Sequence, residues 1–590
     1  MDPIIEANID ELITELRKSG MTLDDPVAKL MVSALLYQAQ KIKDDIGRIP
    51  ARITDRLCSC FIPRNKLDAT PALCLVQPTL KNRKEMEPHR ITDGTFFTYR
   101  LDTKSSLSFH PLYRNLIVPF SAIHLLTPRL LMSNGTRVDL QLSKKGQVWL
   151  GLELTAEIET LGGMSFLIKG TSGVLPERIC VGNGLTELTF TTADHVSDLP
   201  VMEPFDSQQA TPSSIEMLSG WKSILAKSED GRLLYITDTL KDRDVFKCRA
   251  YPKSFQQMLE SNDLDKFGNN TLWILFDFGD GYEVPPGTDI IPNVMPVVNV
   301  GVNTVSLTQA SPVAKLTKGD GTSFLNIIET SLPAQKQGFS VVNEEVIIRD
   351  FDSACYNPDT LYQDVRNLYN RFVDDYHAFV DYHGLKDGEL VRSLRELINR
   401  IGKSVTVSQD ARNRFTDGTY AMRGIGLGNL SSSIKISYLT TAGRAGNTPQ
   451  AGSLMENRKD AALEKDVRVI AGAIGGEDKA DADQRYELLR YYTLTSDRLF
   501  TKMDIDAFVR LRLLKEFGRE EMKRISHDIT VQGAGGPSRL MRGLYVDIRF
   551  RDRRNYEKAC ATALDRNLRQ MILDRSCLSM PVIVKSHCTE

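Results

Sequence analysis

The sequence predicts a mixed α/β multidomain protein: N-terminal helices, a central β-rich, sandwich-like region, a helical insertion and a C-terminal split α/β unit. Three observations predict it. Up to residue 61, apolar side chains recur at helical spacing, with Ile9, Leu12 and Leu16 followed by Val27, Leu30, Met31, Ala34 and Leu35. From Pro71 to about Ser340 the reading changes to short β-prone runs broken by turn pairs, among them Asn134-Gly135, Lys145-Gly146, Gly162-Gly163 and the hairpin signal Asn183-Gly184. Near the end, Leu544, Val546, Ile548 and Phe550 alternate as in a half-buried strand. A helical stripe (Ala559, Ala563, Leu564, Leu568, Met571, Ile572) and a second β-prone run, Pro581 to Val584, follow.

Taken in order, Gly20 ends the first helix, Thr22 or Asp24 caps the second, and Pro26 sits in its first turn, where a missing N–H does no harm. Ile53, Leu57 and Phe61 extend a third short helix, which Pro63 ends. Strands are expected at 73–76, 138–140, 148–154, 166–169, 185–191 and 305–307, with a strongly buried one at 271–278. Residues 200–216 read as a loop and 251–259 as a short helix. Asn357 and Pro358 start a helix whose stripe, Leu361, Val365, Leu368, Phe372, Tyr376 and Phe379, is a candidate interface; another helix is expected at 388–402. A beta-branched strand at 434–442 leads into a loop punctuated by Gly443, Gly446 and Gly452. The charged, alanine-rich segment 455–485 reads in part as mobile or ordered only by a partner. Residues 486–518 read as two helices with a break, and 554–574 as one. The expected division is therefore 1–70, 71–350 (one or two domains), 351–433 and 434–590.

Composition narrows the function. The chain has 590 residues, room for roughly three to five domains. Its 74 basic and 76 acidic side chains give a formal charge of −2, without the basic excess of a general polyanion binder, so nucleic acid is not an expected partner. No run approaches the roughly 20 apolar residues that span a bilayer, and the acidic Met-Asp-Pro start is unlike a secretory signal. Nine scattered cysteines suit a reducing compartment, and Cys58 and Cys60 lack the second pair of a metal set. The acidic loop Asp277 to Glu283 lacks EF-hand spacing and reads as a tight turn. Gly533-Ala534-Gly535-Gly536 lacks the GK[ST] ending of a phosphate loop. The histidines form no legible triad, and Arg549, Arg551, Arg553 and Arg554 make a local positive cluster that suits a solvated edge or an interface. The expectation is a protein without catalytic residues, metal or cofactor.

Two resemblances carry this further. Asp25-Pro26-Val27, the helix to Asp45, Pro50, Leu57, Phe61, Pro63 and the extended run after Pro71 resemble the opening of the TssF family, baseplate proteins of the bacterial type VI secretion system. Ile291 to Val300, with Pro296 and Asn299, and the Gly94-Thr95 step look like further family positions. Independently, Tyr438 to Gly452, with Gly446 and Asn447, resembles the glycine/asparagine loop of phage baseplate J-like wedge proteins. Arg498 to Phe508 resembles their Arg-hydrophobic-hydrophobic-Thr-x-x-Asp step, in which Thr501 can cap a helix with Asp504 in its first turn. The start lacks the family's aromatic-rich opening, which points to a divergent lineage; that of the Bacteroidota is the candidate.

The resemblance implies a non-enzymatic wedge subunit. Two copies would join one TssG-like subunit, and the wedges would meet a TssK-like adaptor, a TssE-like sheath initiator and a central hub and spike. The assembly would sit in the cytoplasm, at the inner face of the inner membrane, and prime sheath and tube polymerisation. The alternatives are a phage-tail-like contractile baseplate protein and, more remotely, a β-rich hydrolase using Asp277 and Asp280.

Overall fold

The computed structural model describes residues 53–192, 231–331, 346–351, 418–423, 433–533 and 542–589 with short gaps inside these spans, residue 50, and isolated residues between 370 and 400. The helices expected before residue 50, the loop at 200–216 and the whole candidate interface (Leu361, Val365, Leu368, Phe372, Tyr376 and Phe379) lie outside the described residues. The described residues fall into two compact units. The larger draws on Asp68–Asp350 and Gly418–Lys479, and the smaller on Met1–Leu67, Phe351–Asp417 and Ala480–Glu590.

The larger unit is built on a closed barrel of β1 (Leu73–Gln77), β17 (Met295–Asn299), β4 (Ser106–Pro111), β3 (Phe97–Arg100), β24 (Leu454–Asn457) and β25 (Asp466–Ile474), in that order. β1 pairs antiparallel with both β17 (Leu73↔Val298) and β25 (Leu73↔Ile474), which closes the ring and removes its edges. Leu73, Leu75, Phe97, Phe109, Met295, Met455, Val467 and Val469 belong to its core. Pro296 is tolerated inside β17 because the ladder with β4 starts only at Val297; the Pro296 carbonyl still accepts from the Leu112 N–H at 3.0 Å.

Beside the barrel lie two further sheets. One is β13 (Phe190–Thr192), β14 (Arg232–Ile236), β10 (Ser165–Lys169) and β16 (Asp289–Pro292). The other runs β12 (Thr186–Leu188), β11 (Arg178–Val181), β15 (Thr271–Asp277), β9 (Gln147–Leu154), β6 (Phe120–Thr127), β7 (Leu130–Ser133) and β8 (Thr136–Asp139). Side chains alternate across the four-stranded sheet. Phe166, Leu234 and Ile290 pack against Leu150, Leu152, Ile274 and Phe276 of the seven-stranded sheet, whereas Leu167, Leu233 and Tyr235 join the barrel core. All seven residues of β15 are buried, since its other face meets an aromatic cluster of Trp149, Phe255, Phe267 and Trp273. The expected 185–191 strand divides between the two sheets at Thr189, whose N–H donates to Asp238 (3.1 Å). The helix expected at 251–259 is a 3-10 segment, Lys253–Gln257. A ribbon of β2 (His89–Arg90) and β5 (Leu116–Ile117) completes this part. A smaller core, including Leu307, Ile434 and Tyr438, gathers β18 (Gly301–Leu307), β23 (Ile434–Thr441) and β20 (Ser323–Ser331) with β19 (Val313–Lys315), β22 (Gly418–Arg423) and β21 (Val346–Phe351).

Segment 455–485 corrects the expectation of mobility or partner-dependent order. It supplies barrel strand β25, whose Val467, Val469, Ala471 and Ala473 belong to the barrel core while Asp466, Arg468 and Ile474 are exposed. The preceding loop is pinned by Asp460, whose carboxylate accepts from His89 (2.9 Å), Thr95 (3.2 Å) and the Ala462 N–H (3.0 Å).

The smaller unit contains α1 (Ala482–Thr495), α2 (Lys502–Met522) and the sheet β26 (Ile525–Gly533), β27 (Arg542–Phe550) and β28 (Val582–Cys588). β28 runs parallel to β27, as a helical crossover requires. That crossover is two helices, α3 (Arg553–Ala561) and α4 (Leu564–Arg575), where one was expected. Thr562 ends the first: its hydroxyl donates back to the Lys558 carbonyl (3.1 Å), and its own carbonyl accepts from Asn567 (2.9 Å). β26, which the sequence reading did not identify, pairs antiparallel with β27.

Candidate functional site

The residues singled out as structural motifs gather at two places, one in each unit. In the larger unit the centre is Asn299, the last residue of β17, which is 3% exposed. Its side-chain Nδ2 donates to the Ser108 carbonyl (3.0 Å), and its Oδ1 accepts from the Ala442 N–H (3.1 Å). Its backbone N–H donates to Ala72 (2.7 Å), and its carbonyl accepts from the Thr441 hydroxyl (2.9 Å), which in turn accepts from the Gly443 N–H (3.1 Å). Only a side chain with a donor and an acceptor on one planar group serves both Ser108 and Ala442.

After β23 the chain turns through the 3-10 segment Gly443–Asn447 against this amide. A Cβ at Gly446 would meet Asn299 Oδ1 at 2.8 Å and the Ala72 methyl at 2.9 Å. Asn447 straddles Gly476, donating to its carbonyl (2.8 Å) and accepting from its N–H (2.9 Å). Gly476 is itself wedged, since a Cβ there would lie 2.3 Å from the Gly443 carbonyl. The structure thus brings Asn299, Gly446 and Asn447 together and adds Ala72, Thr441 and Gly476.

In the smaller unit, Thr501 is the N-cap of α2 and Asp504 its third residue. The Thr501 hydroxyl accepts from the Asp504 N–H (3.2 Å), while the Asp504 carboxylate accepts from the N–H groups of Thr501 (2.8 Å) and Phe500 (3.0 Å). Desolvation pushes the Asp504 carboxyl up, but these donors prevail and hold it below its ordinary value. Arg498 is exposed, and its N–H closes the turn onto Thr495 (3.0 Å). The anchor of this turn is Asp497, which sequence reading missed. Held at a left-handed φ of 63°, it accepts from the Tyr491 hydroxyl (2.8 Å) and from Arg575 (3.1 Å).

No protein-family model and no curated protein matches the chain. It is similar to a chain in the cryo-electron-microscopy structure of the type VI secretion system TssK–TssF–TssG baseplate subcomplex. That match has 11% identity, a TM-score of 0.42, and coverage of 95% of this chain and 96% of the other. It is also similar to a chain in the sixfold-symmetrised cryo-electron-microscopy structure of the anti-feeding prophage baseplate, at 9% identity and a TM-score of 0.28, covering 98% of this chain and 70% of that one.

The remaining chemical candidates resolve as follows. Asp277 accepts from Arg178 (2.8 Å) and from the Gly279 N–H (3.1 Å), the geometry of a tight turn, and Asp280 is exposed. Cys58 is buried, with its thiol held up by burial, whereas Cys60 is exposed. Among the described residues no group of three or more His, Cys, Asp or Glu side chains is arranged to hold a metal. In the arginine cluster, Arg549 pairs with Asp547 (2.8 Å) and Arg553 with Glu557 (3.1 Å). One Ser–His–Glu relay, invisible in the sequence, spans three strands. His124 Nε2 donates to Glu153 (3.0 Å), and Nδ1 shares a hydrogen bond with the Ser133 hydroxyl (2.9 Å). Its serine is 5% exposed and its histidine 0%, stacked at 6.0 Å on Trp273, so the relay knits β6, β7 and β9 together inside the aromatic cluster.

Proposed function

We propose that the chain is a structural, non-enzymatic subunit of a contractile injection baseplate, a wedge component in a type VI secretion-like machine. One observation carries the reading: residues of the two independent sequence resemblances, Asn299 from one and Gly446 from the other, meet in one buried junction. The resemblance therefore falls on residues that fix how strands leave a barrel, rather than on groups lining a cleft. A part that passes load between neighbours needs such fixed exits, because packed units switch between discrete arrangements and do not deform continuously.

On this reading two copies join one TssG-like subunit, and the wedges contact a TssK-like adaptor, a TssE-like sheath initiator and the central hub, at the cytoplasmic face of the inner membrane. The stripe Leu361, Val365, Leu368, Phe372, Tyr376 and Phe379 is the proposed contact between copies. Co-purification with TssG-like and TssK-like subunits tests the reading. The intact chain should bring partners down, and the Leu368→Glu, Phe372→Glu variant should lose pairing between copies while remaining folded. Loss of folding would place the stripe in the protein's own core. A chain that binds no neighbour would remove the proposal.

A further inference from the structure

A sheet that does not close on itself ends in edge strands, and an unguarded edge is a template for pairing with another chain. Among the described residues, all such edges but one are blunted. β2, β5 and β13 are three residues long or shorter. β16 ends in Pro292, and β20 breaks register twice against β23. The others contain charge: Arg137 in β8, Glu187 in β12, Lys315 in β19, Arg349 in β21, Asp528 in β26 and Lys585 in β28. The exception is β18 (Gly301–Leu307), the outer strand of the sheet it forms with β23 and β20. Its seven residues include neither charge nor proline. They pair with β23 one for one, from Gly301↔Thr440 to Leu307↔Ile434, without a bulge. Among the described residues no strand pairs with its other side. Val302, Thr304 and Ser306 are exposed on one face, and Leu307 is buried on the other.

We propose that β18 is a pairing edge between two copies of this chain, joined antiparallel about a two-fold axis at Thr304. A charged partner strand gains nothing from this neutral edge, whereas a copy of β18 matches it in length, in lack of charge and in alternation. The register that overlaps all seven residues sets Thr304 against Thr304, Asn303 against Val305 and Val302 against Ser306. No like charges meet there, and a Thr–Thr pair is a favourable cross-strand neighbour. The contact uses the same patch on both copies, as a two-fold interface requires, and main-chain hydrogen bonds supply it. It keeps the exposed faces of the two strands on one side and their buried faces on the other, so the two sheets become one continuous sheet. The pairing rests on the strand itself and not on the baseplate reading.

Analytical ultracentrifugation of the full chain alone, over a range of concentrations, tests this. The expected result is a reversible dimer. Thr304→Lys sets two lysines against each other on the axis and should weaken the dimer by up to about fivefold. Thr304→Glu should do the same. An equal mixture of the two variants should recover association, since lysine then faces glutamate. Thr304 is exposed, so neither change disturbs a core. A chain that stays monomeric at every concentration would overturn the proposal. So would a dimer that ignores both variants, the result expected if copies meet only through the 361–379 stripe. A mixture that associates no better than either variant alone would overturn it too.

Discussion

At Asn299 one amide donates to Ser108 and accepts from Ala442, so alanine and aspartate fail there in different ways. Asn299→Ala orphans both partners and should destabilise the protein by about 1–3 kcal/mol; Asn299→Asp should cost more, because a carboxylate then faces the Ser108 carbonyl. Gly446→Ala drives a methyl to 2.8 Å from the Asn299 amide oxygen. It should cost about 1–3 kcal/mol by overpacking. Urea melts read all three, and unchanged midpoints would contradict the junction. At the α2 cap, Thr501→Ala should cost about 1 kcal/mol. Asp504 has a folded pKa depressed below its ordinary 3.8. Its contribution is therefore present above pH 3.8 and is lost as pH falls through the lower folded value. Acid melts of Asp504→Asn should lack that loss. This cap was legible because a capping box lies within four consecutive residues. Asp497 was not, since its partner Arg575 is 78 residues away and a left-handed aspartate leaves no spacing to read.

Among elements, the strands that could be read are those whose environment repeats in the sequence. β15 is apolar along most of its length because both faces are covered. β27 alternates because only one face is buried at most positions. β25 escaped notice because charges at Asp466 and Arg468 dominate the composition of its surroundings, although Val467 and Val469 between them keep a period of two. β26 carries the same signal in Ile525, Ile529 and Val531, interrupted by His527, which bonds Asp506 at 2.9 Å. The barrel assignment of β25 predicts that trypsin leaves Lys465 and Arg468 uncut in the native protein. Cleavage there should track unfolding of the unit, not local opening; rapid native-state cutting would contradict the assignment. In the crossover, Leu568 is 1% exposed, and Leu568→Ala should destabilise the smaller unit by about 2–5 kcal/mol.

For the whole molecule, the mixed α/β class and the C-terminal α/β unit were readable because helical and strand periods change along the chain. Barrel closure was not. It depends on Leu73 pairing with both Val298 and Ile474, partners hundreds of positions apart that no local pattern announces. The Asn299 junction was half legible: each motif could be quoted, but not that they meet. The central claim concerns assembly, and the most direct measurement is the mass of the complex purified after co-expression with a TssG-like subunit. The account predicts a stable complex containing two copies of this chain and one TssG-like partner. A folded chain that elutes apart from the TssG-like subunit would contradict it.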